Sequence, residues 1–149
     1  MPKVLVIHGP NLNLLGEREP DTYGSESFES VNQRIREFAQ SLDLDVEIVQ
    51  SNIEGELVNA IQDARGKADA IVINPAAYTH YSVAIRDALT TLDIPKVEVH
   101  LSNIHAREQF RKSTVTGEVA DGIISGFGGD SYLLGLQAAK WLIERGKRS

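Results

Sequence analysis

Residues 3–24 read KVLVIHGPNLNLLGEREPDTYG. The apolar run Val4–Ile7 stops abruptly at His8-Gly9-Pro10-Asn11, which predicts a short buried strand. The segment beyond it, punctuated by Gly16, Pro20 and Gly24, is too long for a plain strand-to-helix connection, where about two to six residues is usual. A long loop at the carboxyl end of a strand suits a lid or a binding loop, and this one carries Arg18 and Tyr23.

Outward from that stretch, strands and helices alternate. Ser27 reads as an N-cap, and Phe28, Val31, Ile35, Phe38, Ala39 and Leu42 behind it fall at helical spacing. Val46–Val49 is a second strand. Leu57, Val58, Ile61 and Ala64 mark a second helix closed by Gly66. Ala70–Ile73 is a third strand. Val83, Ile85, Ala88, Leu89 and Leu92 mark a third helix that ends before Pro95. Val97–Val99 and Gly122–Ser125 are the last strands. Asn103–Phe110 is expected to form a short helix between them, and Tyr132–Glu144 the final helix, with Gly146 after it. Strands alternating with helices predict an α/β fold, a three-layer sandwich around a parallel sheet. Five units in this length fit the flavodoxin-like strand order 2-1-3-4-5.

The 149 residues are read as a single catalytic domain, residues 1–149. The absence of cysteine excludes disulfides and thiolate chemistry. No apolar stretch approaches the ~18 residues of a membrane span, and Met1-Pro2-Lys3 leaves no room for a leader, so a cytoplasmic protein is expected. With 15 basic and 21 acidic residues the net charge is −6, which argues against nucleic acid as the main partner.

Ligands of such sheets bind beyond the carboxyl ends of the strands. That edge collects His8, Asn11, Arg18 and Tyr23 after the first strand, and Ser51, Asn52 and Glu54 after the second. Asn74, Tyr78, Thr79 and His80 come after the third. Glu98, His100, Ser102, His105, Arg107 and Arg111 belong to the fourth, and Gly126, Gly128 and Gly129 to the fifth. All 4 histidines fall there. Some of these positions have plain structural readings. Asn11 and Asn74 could form turns, Thr79 reads best as the N-cap of the third helix, and His105 reads as structural. Glu98 and His100, two apart on a strand, share a face, where a carboxylate can orient and charge an imidazole. Arginines gathered on one edge of an acidic protein suit an anionic ligand.

Dispersed histidines among asparagines and arginines do not suit a metal site. GPNLNLLG lacks the hydroxyls of a flavin phosphate loop, and Asn11 and Asn74 stand near the places where a phospho-acceptor receiver needs aspartates. An acid–base enzyme acting on a small anion remains, with a non-catalytic anion-binding regulatory module as the alternative.

Three blocks, IHGPNLNLLGEREPDTYG, NPAAYTHYSVAIRDAL and EVHLSNIHAREQFR, closely resemble the signatures of type II 3-dehydroquinate dehydratases. The resemblance implies loss of water from 3-dehydroquinate to give 3-dehydroshikimate in the shikimate pathway, with no metal and no cofactor, in a homododecamer of four trimers. It implies Tyr23 as base, Arg18 as its activator, and Asn11 as a holder of the enolate. His100 matches the general acid and Glu98 its partner. Asn74, His80, Arg111 and the Leu101-Ser102 backbone match the substrate-binding set, and Asp87 an acidic residue that reaches a neighbouring subunit's site. Ala76, Tyr81 and KSTVTGEV (112–119) depart from the commoner family pattern.

The side chains suit that chemistry. A tyrosine with an ordinary pKa of about 10 must be made about 4 kcal/mol more acidic to ionise near pH 7, and a nearby guanidinium lowers a pKa by about one to three. Arginine stays charged and does not compete for the proton. The substrate carboxylate is expected on the Leu101 and Ser102 backbone at the start of the short helix. Of the lysines only Lys112 falls on the site edge, in an exposed-looking turn, so a Schiff base is not expected.

Overall fold

The sequence pattern becomes a five-stranded parallel sheet in a computed structural model that describes residues 1–17 and 26–148. The strands are β1 (Lys3–His8), β2 (Asp45–Gln50), β3 (Ala70–Asn74), β4 (Lys96–His100) and β5 (Gly122–Ser125), in the order β2-β1-β3-β4-β5. The α-helices are α1 (Phe28–Ser41), α2 (Glu54–Asp63), α3 (Val83–Thr90) and α4 (Asp130–Arg148). This is the predicted flavodoxin-like arrangement.

Alternation along each strand sorts the core into two layers. Val4, Val6, Val72, Val97 and Val99 pack against Val31 and Ile35 of α1 and Tyr132, Leu136 and Ala139 of α4. Leu5, Ile7, Ile71 and Ile73 pack against Leu57 and Ile61 of α2 and Ile85 and Leu89 of α3. Each such fully buried aliphatic side chain contributes about 1.5–3 kcal/mol. Gly135 lets α4 approach the sheet: a Cβ there would lie 2.9 Å from Val99 Cγ1 and 3.0 Å from Val72 Cγ1. Ser27 caps α1 by accepting from the Ser30 N–H at 3.1 Å, as its position predicts.

The strands run past their apolar runs. His8 pairs with Asn74 and with Gln50, and His100 with Ser125, so the ladder carries polar residues to the edge where ligands bind. Three expectations are corrected. Asn103–Phe110 is two 3-10 turns, Ile104–Ala106 and Gln109–Arg111, rather than one helix. The Asn103 side chain accepts from the His105 N–H, and Arg107 between the turns is extended, so helical bonding does not propagate. Thr79 does not cap α3; the Ser82 hydroxyl does, accepting from the Ile85 N–H at 3.0 Å. α4 continues through Gly146 to Arg148. No helix among the described residues is long and apolar enough to cross a membrane.

Candidate active site

Strand parity decides which side chains meet. Val97 and Val99 face α1 and α4, so Glu98 and His100 face the other way. There the Glu98 carboxylate, 0% exposed, lies 2.8 Å from His100 Nε2. Thr79 and Thr114 donate to its Oε2 at 2.7 and 2.9 Å, and Thr116 donates to Oε1. Burial pushes the carboxyl up, but the His100 and threonine hydrogen bonds outweigh it and hold Glu98 below the usual carboxylate range. With Nε2 taken by Glu98, Nδ1 is the His100 nitrogen left for the cavity.

His8 and Asn74 share the opposite parity and point toward α1 and α4. Burial lowers the pKa of His8 to about 4, against the raising effect of its Asn32 hydrogen bond, so its ring is neutral at pH 7. Its Nε2–H donates to Asn32 Oδ1 at 2.8 Å, which makes Nδ1 an acceptor for the Tyr132 hydroxyl, also at 2.8 Å. Burial raises the pKa of Tyr132, keeping it a phenol. Asn74 Nδ2 donates to that hydroxyl at 3.0 Å, and its Oδ1 accepts from the Ala76 N–H at 3.0 Å. Asn74 thus borders the cavity and also forms a turn.

Between these two groups opens a cavity of ≈ 150 Å³ lined by Asn11, Asn74, His80, His100, the Leu101-Ser102 backbone, Arg107 and Arg111, among others. Among the described residues no carboxylate lines it, whereas two arginines do, so the site favours an anion. Asn11 adopts a left-handed conformation (φ 69°), which asparagine tolerates best after glycine. Its N–H donates to Asn52 Oδ1 at 2.9 Å, and its side chain makes no capping bond to the adjoining turn. Gly9 is required beside it, because a Cβ there would lie 2.6 Å from the Pro75 carbonyl oxygen. His80 donates from Nδ1 to the Ser113 carbonyl at 2.7 Å, and burial lowers its pKa, so the neutral ring offers Nε2 as an acceptor. Arg111 Nε lies 2.8 Å from Glu108 Oε2, and its guanidinium packs 4.9 Å from the Phe110 ring centre.

The structure therefore gathers Asn11, Asn74, His80, His100, Leu101, Ser102 and Arg111 at one cavity, with Glu98 directly behind His100. Asp87 is exposed on α3 and does not line the cavity of its own chain. Arg18 and Tyr23 lie outside the described residues. His8 sits in the packed layer behind Asn74 instead of on the cavity wall, and His105 sits with Phe127 and Trp141 at a separate surface. Sequence reasoning left Asn52, Thr114, Thr116 and Tyr132 without roles, and read Thr79 as a cap. Only the period-two pattern through Glu98 hinted that a buried carboxylate needed donors from elsewhere.

The family model described as dehydroquinase class II matches residues 2–140. A 3-dehydroquinate dehydratase of Desulforudis audaxviator is 54% identical over 147 residues, covering 99% of this chain and 98% of the relative. One from Acaryochloris marina is 58% identical over 137 residues, 92% of each chain. A crystal structure of a type II dehydroquinase from Butyrivibrio crossotus superposes with a TM-score of 0.91 at 48% identity, covering 93% of this chain and 97% of that one.

Proposed function

The chain belongs to the class II dehydroquinases, and from that membership and the cavity we propose that it removes water from 3-dehydroquinate to give 3-dehydroshikimate. The observation that carries this reading is His100, backed by a buried carboxylate at 2.8 Å, on the wall of a cavity that presents Asn11 and two arginines.

The residues supply each part of the chemistry. A base takes a proton from the carbon beside the ketone, and its electrons become the enolate. The enolate reforms the ketone as the β-hydroxyl leaves with a proton, so one water is lost and a conjugated enone remains. Asn11 holds the enolate, because its backbone is fixed by Asn52 while its amide is free of the turn. His100 protonates the leaving hydroxyl, and Glu98 stabilises the cation it must be beforehand. The backbone of Leu101 and Ser102 receives the substrate carboxylate without a helix behind it, with Arg107 and Arg111 supplying positive charge. His80 accepts a ring hydroxyl through Nε2, and Asn74 and Arg111 hold the others.

Tyr23 is assigned the base and Arg18 its activator on their match to the family's loop. Asp87 on α3 is assigned to the site of a neighbouring subunit in a homododecamer of four trimers. The catalytic unit spans residues 1–149 and works in the cytoplasm. The elimination balances with these groups alone, with no cofactor in the scheme. Nucleic acid and membrane are not partners in this scheme.

Proton NMR of 3-dehydroquinate with the purified protein tests the assignment. The vinyl resonance of the enone product is expected; an unchanged substrate spectrum at high protein concentration overturns it. Borohydride added during turnover should leave the protein mass unchanged, and a trapped adduct would replace the enolate route by an imine. Tyr23→Phe should lower kcat by about 100-fold or more while substrate binding persists.

A further inference from the structure

Thr79, Thr114 and Thr116 touch no reacting group in the proposed elimination, yet all three hydroxyls converge on one buried carboxylate. Glu98 Oε2 accepts from His100 Nε2 at 2.8 Å, Thr79 Oγ1 at 2.7 Å and Thr114 Oγ1 at 2.9 Å, and Oε1 accepts from Thr116 Oγ1. The hydroxyls also touch one another: Thr79 and Thr116 lie 2.9 Å apart, Thr114 and Thr116 3.3 Å apart, and Thr79 meets Thr114 directly. Thr114 is itself fixed by the Gly117 N–H at 2.9 Å. Thr79 and Thr116 are 0% exposed, like Glu98. Water is not the solvent of this carboxylate; three threonines are.

The donors around it favour the ionised carboxylate. Each hydroxyl has one proton, and the imidazole brings a fourth donor. An ionised carboxylate is acceptor only and can take them all. A protonated carboxyl gives up one of those acceptor sites and must turn its own proton onto a threonine oxygen, so one hydroxyl loses its place as a donor to Glu98. Hydrogen bonds to an ion are also roughly twice as strong as those between neutral groups. The remaining charged groups do not substitute for the hydroxyls. Lys96, two residues back on the same strand face, turns to the Leu92 carbonyl at 2.5 Å. Arg86 reaches the Val115 carbonyl and Glu118. His80 donates to Ser113, and Arg111 pairs with Glu108.

We infer that Thr79, Thr114 and Thr116 are positioning residues that keep Glu98 ionised and fixed, and so hold His100 with Nε2–H on Glu98 and Nδ1 toward the substrate. The inference deepens the proposed function and rests on it for its kinetic effect, though not for its effect on the ring. The three residues come from two segments, the turn after β3 and the stretch 112–119. Part of the acid's environment in this chain is therefore built by that stretch.

Thr116→Val keeps the side-chain shape and removes one donor. Expected with 3-dehydroquinate is a fall in kcat of about 10- to 100-fold, KM changed by less than about 3-fold, and an acid limb of the kcat–pH profile displaced to higher pH. Thr116→Ser should recover most of the loss. In the substrate-free protein, ¹⁵N spectra of the His100 ring should show a proton held on Nε2 by Glu98 in the wild type and a weakened Nε2–H hydrogen bond in Thr116→Val. A variant with unchanged ring signals and an unchanged pH profile overturns the inference. If the wild type does not dehydrate the substrate but Thr116→Val still releases the ring, the positioning role stands and the functional reading falls. Should Thr116→Val not fold, Thr114→Val, at a half-buried position, is held to the same spectra and the same profile.

Discussion

The Tyr132 hydroxyl and His8 Nδ1 lie 2.8 Å apart behind the cavity, and the direction of that bond is set by burial. Because His8 stays neutral and gives its only N–H to Asn32, the tyrosine must donate to it, which leaves the tyrosine oxygen to accept from Asn74. A residue of α1, the ends of β1 and β3, and a residue of α4 are thus tied into one satisfied chain that ends at the cavity wall.

Tyr132→Phe removes the middle link and leaves a buried imidazole nitrogen and an asparagine N–H unpaired. The expected cost is about 1–3 kcal/mol of stability, or a Tm lower by roughly 2–10 °C. With its amide no longer held, Asn74 should bind substrate less well, raising KM more than it lowers kcat. Calorimetry and steady-state kinetics check both; an unchanged Tm would mean the chain carries no net stabilisation.

His8 also makes stability depend on pH in a specific window. Its folded pKa of about 4 lies below the ordinary 6.5, so the unfolded chain takes up the proton first as pH falls. The His8 contribution is intact above about pH 6.5 and is lost at up to about 1.4 kcal/mol per pH unit on the way down to about 4. His80, also lowered by burial, acts in the same direction. Glu98 has the carboxylate sign: its contribution is present above the ordinary carboxylate range and goes only below it. Tm measured from pH 7 to pH 4 should therefore fall before carboxylates titrate, and the fall should be shallower in His8→Gln. A flat profile between pH 6.5 and 5 would contradict a buried neutral His8.

Ala76 occupies a left-handed conformation (φ 53°) at the cavity wall. That conformation costs an L-residue about 1–2 kcal/mol, and glycine would give back about 0.4–1 kcal/mol through the unfolded chain. Ala76→Gly should raise Tm by roughly 1–4 °C, with the Asn74-to-Ala76 hydrogen bond retained. A lower Tm would show that the methyl group packs favourably enough to offset the strain.

Much of this molecule was legible in its sequence because its strands are buried on both faces and read as apolar runs. The pairing of Glu98 with His100 was legible for the same reason, since period two is a property of the strand itself. The ends of β1 and β3 were not, because His8 and Asn74 are polar and an apolar pattern stops before them, though the ladder does not. Asn103–Phe110 has helical spacing, but the Asn103 cap and extended Arg107 win locally. Thr79 obeys the rule for a cap, and Ser82 three residues later obeys it too; only the fold turns Thr79 inward to Glu98. Thr114 and Thr116 reach the same carboxylate from a segment with no periodic signal at all.

The site's central assignment is that His100, held by Glu98, protonates the leaving hydroxyl of 3-dehydroquinate in this cavity. Its most direct test is the ultraviolet absorbance of the conjugated enone, measured side by side for the wild type and for His100→Gln of equal thermal stability. Absorbance growing with the wild type and slowed about 100-fold or more in the variant is the expected result. No growth with the wild type, or a variant that keeps pace with it, would contradict the assignment.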